Sequence, residues 1–281
     1  MKALLETFYI ESEYFSPRDT LTCGQIFRYE NQGGVWRVYS GRETALLTVQ
    51  GDAVRVDCTS EIYFRNFFDL NRNYAGLNHA AAVNPFMLEA VALGKGIRLL
   101  KQPSFETLIS FIISQNNNIP RIKGIIERLC AALGERQEAG GQSYFAFPTA
   151  EAIADSGAEF LPGIGAGYRA PYILETARRV AGGEDTDALA SLGTDELKER
   201  LLSLKGVGNK VCDCVLLFGY GRLEAFPVDT WIEKVYYQHF SAQPRTREQI
   251  SEYFVNLFGD TAGYAQQLMF HFKRNLESKP L

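Results

Sequence analysis

Lys210 and Asp229 carry the most specific chemistry in this chain: an amine able to attack an electrophilic sugar carbon, and a carboxylate able to take its proton. Lys210 follows Gly206-Val207-Gly208-Asn209, and Asp229 closes Phe226-Pro227-Val228-Asp229, 19 positions further on. An amine in a cleft that nucleic acid covers is poorly solvated, which leaves some of it neutral and able to form a Schiff base. The carboxylate would also stabilise a sugar that turns positive as its substituent departs. A lysine by itself is more commonly solvated or resting on a phosphate, so the argument rests on the pair.

Those two side chains need elements that make them converge. Leu201 to Phe218 reads as a short amphipathic helix, a glycine turn and a second helix, the whole motif lying at about 196–219. Glycine supplies positive φ or close backbone approach, and the amides opening the second helix, near Gly206 and Gly208, point at one spot suited to a phosphate. The same three residues also serve a plain turn between helices, and the spacing alone does not decide.

From Phe8 to Cys58 apolar and polar residues alternate, as in Val35-Trp36-Arg37-Val38-Tyr39, with turns at Asn31–Gly34 and Gln50–Asp52, which predicts an antiparallel sheet. After Glu61 the apolar spacing becomes three and four, as in Phe105, Leu108, Ile109 and Ile112, which predicts ten or so helices. The expectation is an α+β fold: an N-terminal antiparallel β-rich domain with flanking helices over 1–100, packed on a mostly α-helical body over 101–281. Gly134 to Ser143, rich in Gly, Gln and Glu, reads as a loop, and Ala181 to Asp185 as a helix stop.

At 281 residues and 46% hydrophobic, the chain can bury a large core, and no apolar run approaches the length that spans a bilayer. Met1-Lys2-Ala3-Leu4-Leu5-Glu6 meets charge too early for a signal peptide, so an unexported protein is expected, cytoplasmic or nucleoid-associated in a prokaryote and nuclear in a eukaryote. The five scattered cysteines, with Cys212 and Cys214 one residue apart, suit neither a disulfide framework nor a zinc knuckle. A formal charge of −4 is unlike many nucleic-acid binders. Between Lys95 and Arg128, however, six basic residues face two acidic ones, leaving room for one basic face.

The hairpin, lysine and Pro-Val-Asp constellation resembles the helix-hairpin-helix DNA glycosylase superfamily, in which the aspartate serves all members and the lysine marks bifunctional glycosylase/lyases. Branches with an iron–sulfur cluster carry cysteines after the aspartate, whereas none follows Cys214 here. Alkylation-repair branches lack the lysine. From about Phe15 to Arg274 the chain resembles the 8-oxoguanine branch. Cys23-Gly24-Gln25-Ile26-Phe27-Arg28 is similar to that family's Gly-Gln-Ser-Phe-Arg, whose glycine carbonyl reads the lesion. Oxidation puts a hydrogen on N7, so a carbonyl there accepts a bond from the lesion but faces a lone pair on guanine. Without the resemblance, a strand bulge would explain Gly24.

Asn116-Asn117-Asn118-Ile119-Pro120-Arg121 resembles a segment whose first asparagine and arginine, here Asn116 and Arg121 with Arg169, hydrogen-bond the estranged cytosine; capping alone would explain one or two asparagines. The resemblance therefore implies a preference for cytosine opposite the lesion, since a guanidinium fork suits cytosine and not adenine. Gly163 to Ala170 resembles the loop whose tyrosine, Tyr168 here, fills the gap left by the flipped base. Gly263 to Phe270 resembles the helix whose glutamine, Gln266, bonds the base edge, while Phe270 and a cysteine at Cys214 hold its two faces. Two departures stand out: Trp231 replaces a phosphate-contacting histidine, and Lys273 occupies its partner's position, where it could take over the charge.

The resemblance implies a monomeric enzyme without metal or cofactor, acting on duplex DNA that contains oxidised guanine and joining base removal to β-elimination. Its rivals are a superfamily glycosylase with another lesion, such as formamidopyrimidines or oxidised pyrimidines, and a non-catalytic damage-binding protein.

Overall fold

The computed structural model describes residues 5–277, so Met1 to Leu4 of the segment weighed as a leader lie outside the described residues. Five strands, β1 (Glu6–Glu11), β2 (Tyr29–Gln32), β3 (Val35–Ser40), β4 (Glu43–Gln50) and β5 (Ala53–Cys58), form an antiparallel sheet in the order β1-β5-β4-β3-β2. Register follows the alternation: Phe8 pairs with Val56, Ile10 with Val54 and Val38 with Ala45, which sends these residues to one buried face. Helices α1 (Pro17–Thr22) and α2 (Glu61–Phe67) belong to the same unit. Phe15, Leu21, Phe64, Phe67, Phe68 and Leu100 complete its core.

The helical body comprises α3 (Tyr74–Ala81), α4 (Pro85–Gly94), α5 (Ser104–Ser114), α6 (Ile119–Leu133), α7 (Ala150–Asp155), α8 (Phe160–Gly163), α9 (Ala170–Ala181), α10 (Thr194–Leu202), α11 (Asn209–Gly219), α12 (Thr230–Val235), α13 (Arg247–Phe258) and α14 (Ala262–Glu277). Among the described residues, 13 helices follow Glu61 where about ten were expected, because α7, α8 and α12 are too short to leave a clear apolar period. The innermost helices are α5, α11 and α14. Each is buried round most of its axis, with polar residues such as Asp213, Gln266 and Gln267 among the buried ones; α5 packs on α11, and α14 on α4 and α12. Although α3 and α4 precede residue 100, Tyr74, Leu77, Phe86, Met87 and Ala90 join the core of the helical body, not that of the sheet.

The segment read as a loop from Gly134 to Ser143 is instead an antiparallel ribbon of β6 (Arg136–Ala139) and β7 (Gln142–Phe145). Its order comes from docking on the sheet unit. Tyr144 Oη donates to the Arg42 carbonyl at 2.6 Å, and Arg28 Nη2 donates to the Phe145 carbonyl at 2.5 Å. Arg28 also lies 3.8 Å from Glu106 on α5, whose carboxylate accepts from Gly41 N at 2.7 Å. Burial raises the pKa of Glu106, and the Arg28 guanidinium opposes the rise, so one buried pair joins sheet, ribbon and body. Among the described residues, no helix is long and apolar enough to cross a membrane.

Candidate active site

Gly206 occupies the left-handed region at φ +82°, and a side chain there would collide with the ring of Tyr172, so the turn between α10 and α11 has two independent requirements for glycine. Gly208 is different: it is exposed, a Cβ on it would meet open space, and no side chain caps the helix it opens. The first amides of α11 therefore face outward. Two residues into α11, half-buried Lys210 holds Nζ 5.2 Å from the Phe111 ring centroid.

Asp229 is the N-cap of α12. Its Oδ1 accepts from Trp231 N and Ile232 N, both at 2.9 Å, which fixes the carboxyl, and among the described residues Oδ2 takes no hydrogen bond. Buried Phe226, Pro227 and Val228 lead the chain into that cap.

The residues expected to handle a base come together with this pair. Gly24, Cys214, Gln266 and Phe270 line an inner slot of about 60 Å³ together with Lys210 and Asp229. An outer cleft of about 740 Å³ is also lined by Lys210 and Asp229, so the two groups stand where slot and cleft meet. The slot has room for only a few waters, so admitting a purine requires its walls to part. Burial pushes the Cys214 thiol up to about 11, with Lys210 pulling down and Asp229 pushing up. Gln266 is buried, and among the described residues its Oε1 has no hydrogen-bond partner, which leaves an acceptor at the slot wall.

Gly24 is not in a strand, so the bulge explanation fails; it lies in the loop between α1 and β2 at φ +87°. A Cβ there would come within 2.9 Å of Phe270 Cε1, so the backbone and the ring form opposite lips of the slot. Among the described residues, the Gly24 carbonyl takes no hydrogen bond. Sequence reasoning assigned no role to Gln25 beside it. Fully buried, Gln25 donates Nε2 to the carbonyls of Thr20 at 2.9 Å and Arg98 at 2.8 Å, and accepts from Leu100 N at 2.9 Å. It sews the loop to the chain entering α5.

On the other side of the cleft, Asn116 has φ +45° and donates Nδ2 to Tyr168 Oη at 3.2 Å. Tyr168 is 51% exposed. Asn118 supplies the cap of α6, the structural role open to one asparagine. Arg121 is exposed, and among the described residues no side-chain bond or ion pair engages its guanidinium. Arg169 departs from expectation: it is 2% exposed and donates Nε to the Gln115 carbonyl at 2.8 Å and Nη2 to the Asn116 carbonyl at 3.1 Å. In this conformation it shapes the turn that presents Asn116 and offers nothing directly to a base.

Two further expectations are corrected. Lys273 is buried, with Nζ 2.8 Å from Gln238 Oε1 and 3.0 Å from Glu277, so it does not take over a phosphate contact; Trp231 lines the outer cleft without it. The six cations between Lys95 and Arg128 do not make one basic face. Arg98 is buried, Lys101 pairs with Asp69 at 3.0 Å, Lys123 donates to the Tyr29 carbonyl at 2.6 Å and Arg128 to the Ile164 carbonyl at 2.9 Å. All five cysteines are free and buried. Burial pushes the thiols of Cys23, Cys130 and Cys212 to about 12 and that of Cys58 to about 11.

Residues 109–259 match the family described as HhH-GPD superfamily base excision DNA repair protein, and residues 7–108 match the 8-oxoguanine DNA glycosylase N-terminal domain. A Methanothermobacter thermautotrophicus probable N-glycosylase/DNA lyase is 32% identical over 64% of this chain and 64% of its own length. The Saccharomyces cerevisiae N-glycosylase/DNA lyase is 35% identical over 63% of this chain and 56% of its own, so the chain spans less than two thirds of either relative. Among solved structures, the Clostridium acetobutylicum 8-oxoguanine glycosylase/lyase bound to duplex DNA with cytosine opposite 8-oxoguanine has 32% identity and a TM-score of 0.91, covering 98% of both chains.

Proposed function

The chain belongs to the HhH-GPD superfamily of base excision DNA repair proteins, and on that premise we propose that it excises 8-oxoguanine from duplex DNA and then cleaves the strand as an AP lyase. The observation that carries this reading is the slot. Gly24, Lys210, Cys214, Asp229, Gln266 and Phe270 come from segments up to 246 positions apart in sequence and line one narrow slot, which a flat ring would enter by parting Phe270 from Cys214.

In this reading a flipped base lies between Phe270 and Cys214, its edge on Gln266 and its N7–H on the Gly24 carbonyl. Lys210 Nζ attacks C1′ as the bond to the base breaks, and the base leaves with the proton that Lys210 gives up, relayed through Asp229. Asp229, oriented by two amides, takes the proton lost by Lys210 and offsets positive charge on the sugar. Ring opening gives a Schiff base between Nζ and C1′, which acidifies C2′; loss of that proton expels the 3′ phosphate. The amides opening α11 at Gly206 and Gly208 hold a backbone phosphate, a contact that depends little on net charge. Arg121, exposed and with its guanidinium unengaged among the described residues, favours cytosine opposite the lesion. The protein works as a monomer where the chromosome lies, in the nucleoid or the nucleus.

The test is cleavage and borohydride trapping on a duplex with one 8-oxoguanine opposite cytosine, for wild type and Lys210→Gln, beside an undamaged duplex. The expected result is lesion-dependent cutting and a covalent adduct, with the adduct abolished and cutting reduced at least ~10³-fold by Lys210→Gln. Wild type that binds the lesion without cutting or trapping would establish a non-catalytic binder instead.

A further inference from the structure

We infer that Gln267 and Arg274, on the helix that carries Gln266 and Phe270, are specificity-determining positioning residues that hold the Gly24 carbonyl in register with the base. The inference rests on the reading of the slot as the lesion pocket. Gln267 is buried, and its Nε2 donates to the Cys23 carbonyl at 2.6 Å. Arg274 donates Nη2 to the carbonyl of Thr22, the residue before it. Two successive carbonyls, the last of α1 and the first of the loop, are thus held by α14, and at Gly24 the chain turns through positive φ.

Positions 267, 270 and 274 follow one another at three and four residues, so the clamp and the stacking ring share a stripe of one helix. The guanidinium carbon of Arg274 lies 5.6 Å from the Phe270 ring centroid. Its Nη1 is buried, has no partner among the described residues, and lies 3.8 Å from where a Gly24 Cβ would be. Gln25 secures the other side of the glycine through Thr20, Arg98 and Leu100. The carbonyl proposed to sense one hydrogen on N7 is therefore flanked by anchored residues on both sides. A hydrogen bond weakens steeply with distance and angle, so discrimination by one acceptor demands such anchoring. One helix sets both the base edge and the carbonyl that tests it.

The experiment compares wild type, Gln267→Met, Arg274→Met and Arg274→Lys in two single-turnover reactions: excision of 8-oxoguanine opposite cytosine, and β-elimination at a preformed abasic site, which has no base to read. Gln267→Met and Arg274→Met are expected to slow excision roughly ten-fold or more while abasic-site cleavage changes less than about two-fold. Arg274→Lys, which keeps a charged donor, is expected to recover part of the excision rate. The inference is overturned if both reactions fall together, as for a merely destabilised protein, or if excision is unchanged. Gln267→Met gives the answer independently should Arg274→Met not fold. Wild type that cleaves abasic sites but leaves 8-oxoguanine in place would refute the lesion assignment and not the clamp's geometry.

Discussion

On one side of the cleft, Cys214 and Gln266 are buried on long inner helices, and Gly24 sits in a loop whose flanking carbonyls and side chains are hydrogen-bonded. On the other side, Asn116 and Tyr168 lie on short connections and Arg121 in the first turn of α6, with Tyr168 and Arg121 reaching into solvent and Arg169 buried among backbone carbonyls. The two sides face different tasks. In the proposed reading, a base told from guanine at N7 by one hydrogen must be tested against a wall that does not yield, whereas a gap in a duplex must be entered by groups that reach it. Rigidity is concentrated on the side where the chemical difference is smallest.

That contrast can be broken most strongly at Gly24. Gly24→Val puts a branched side chain at positive φ against the Phe270 ring, and excision of 8-oxoguanine measured in single turnover is expected to fall about 100-fold. A small loss would show that the base-side wall is pliable.

Arg169→Met tests whether the gap side depends on its one buried cation. Leaving the carbonyls of Gln115 and Asn116 without their donor should cost about 2 kcal/mol and lower the melting temperature by roughly 4–8 °C, read by calorimetry. An unchanged melting temperature with altered base preference would instead mean that Arg169 leaves these carbonyls to meet DNA.

The smallest effect is expected from Arg121→Ala. Being exposed, Arg121 should leave the melting temperature within about 1 °C, while the ratio of excision rates opposite cytosine and opposite adenine drops several-fold. A ratio that stays put would move opposite-base choice away from this guanidinium.

The parts of this molecule readable in sequence are those with a period or a local partner. The sheet shows itself in Val54, Val56 and Cys58, and the cap of α12 in a Pro-Val-Asp run that stops one element and begins another. The helix-glycine-helix turn is similarly local, and the resemblance it supports gathers residues that spacing could never place together. What escaped has its partners far away. The ribbon at 136–145 has little apolar alternation and gains its order from Arg28 and Arg42, over 100 positions earlier. Arg169, Gln25, Gln267 and Arg274 all bond to backbone carbonyls, which every residue possesses and no sequence pattern marks. Lys273 was misread because a charge aligned with a functional position can still turn inward to a neighbour such as Gln238.

The burial of all five cysteines bears on how long such an enzyme would last at its work. Peroxide attacks the thiolate, and groups held at about 11 or 12 are almost wholly protonated in neutral solution. Even Cys214, at the slot itself, is kept in its unreactive form. Burial and a raised pKa together keep all five thiols in the form that an oxidant attacks slowly, the one at the slot included.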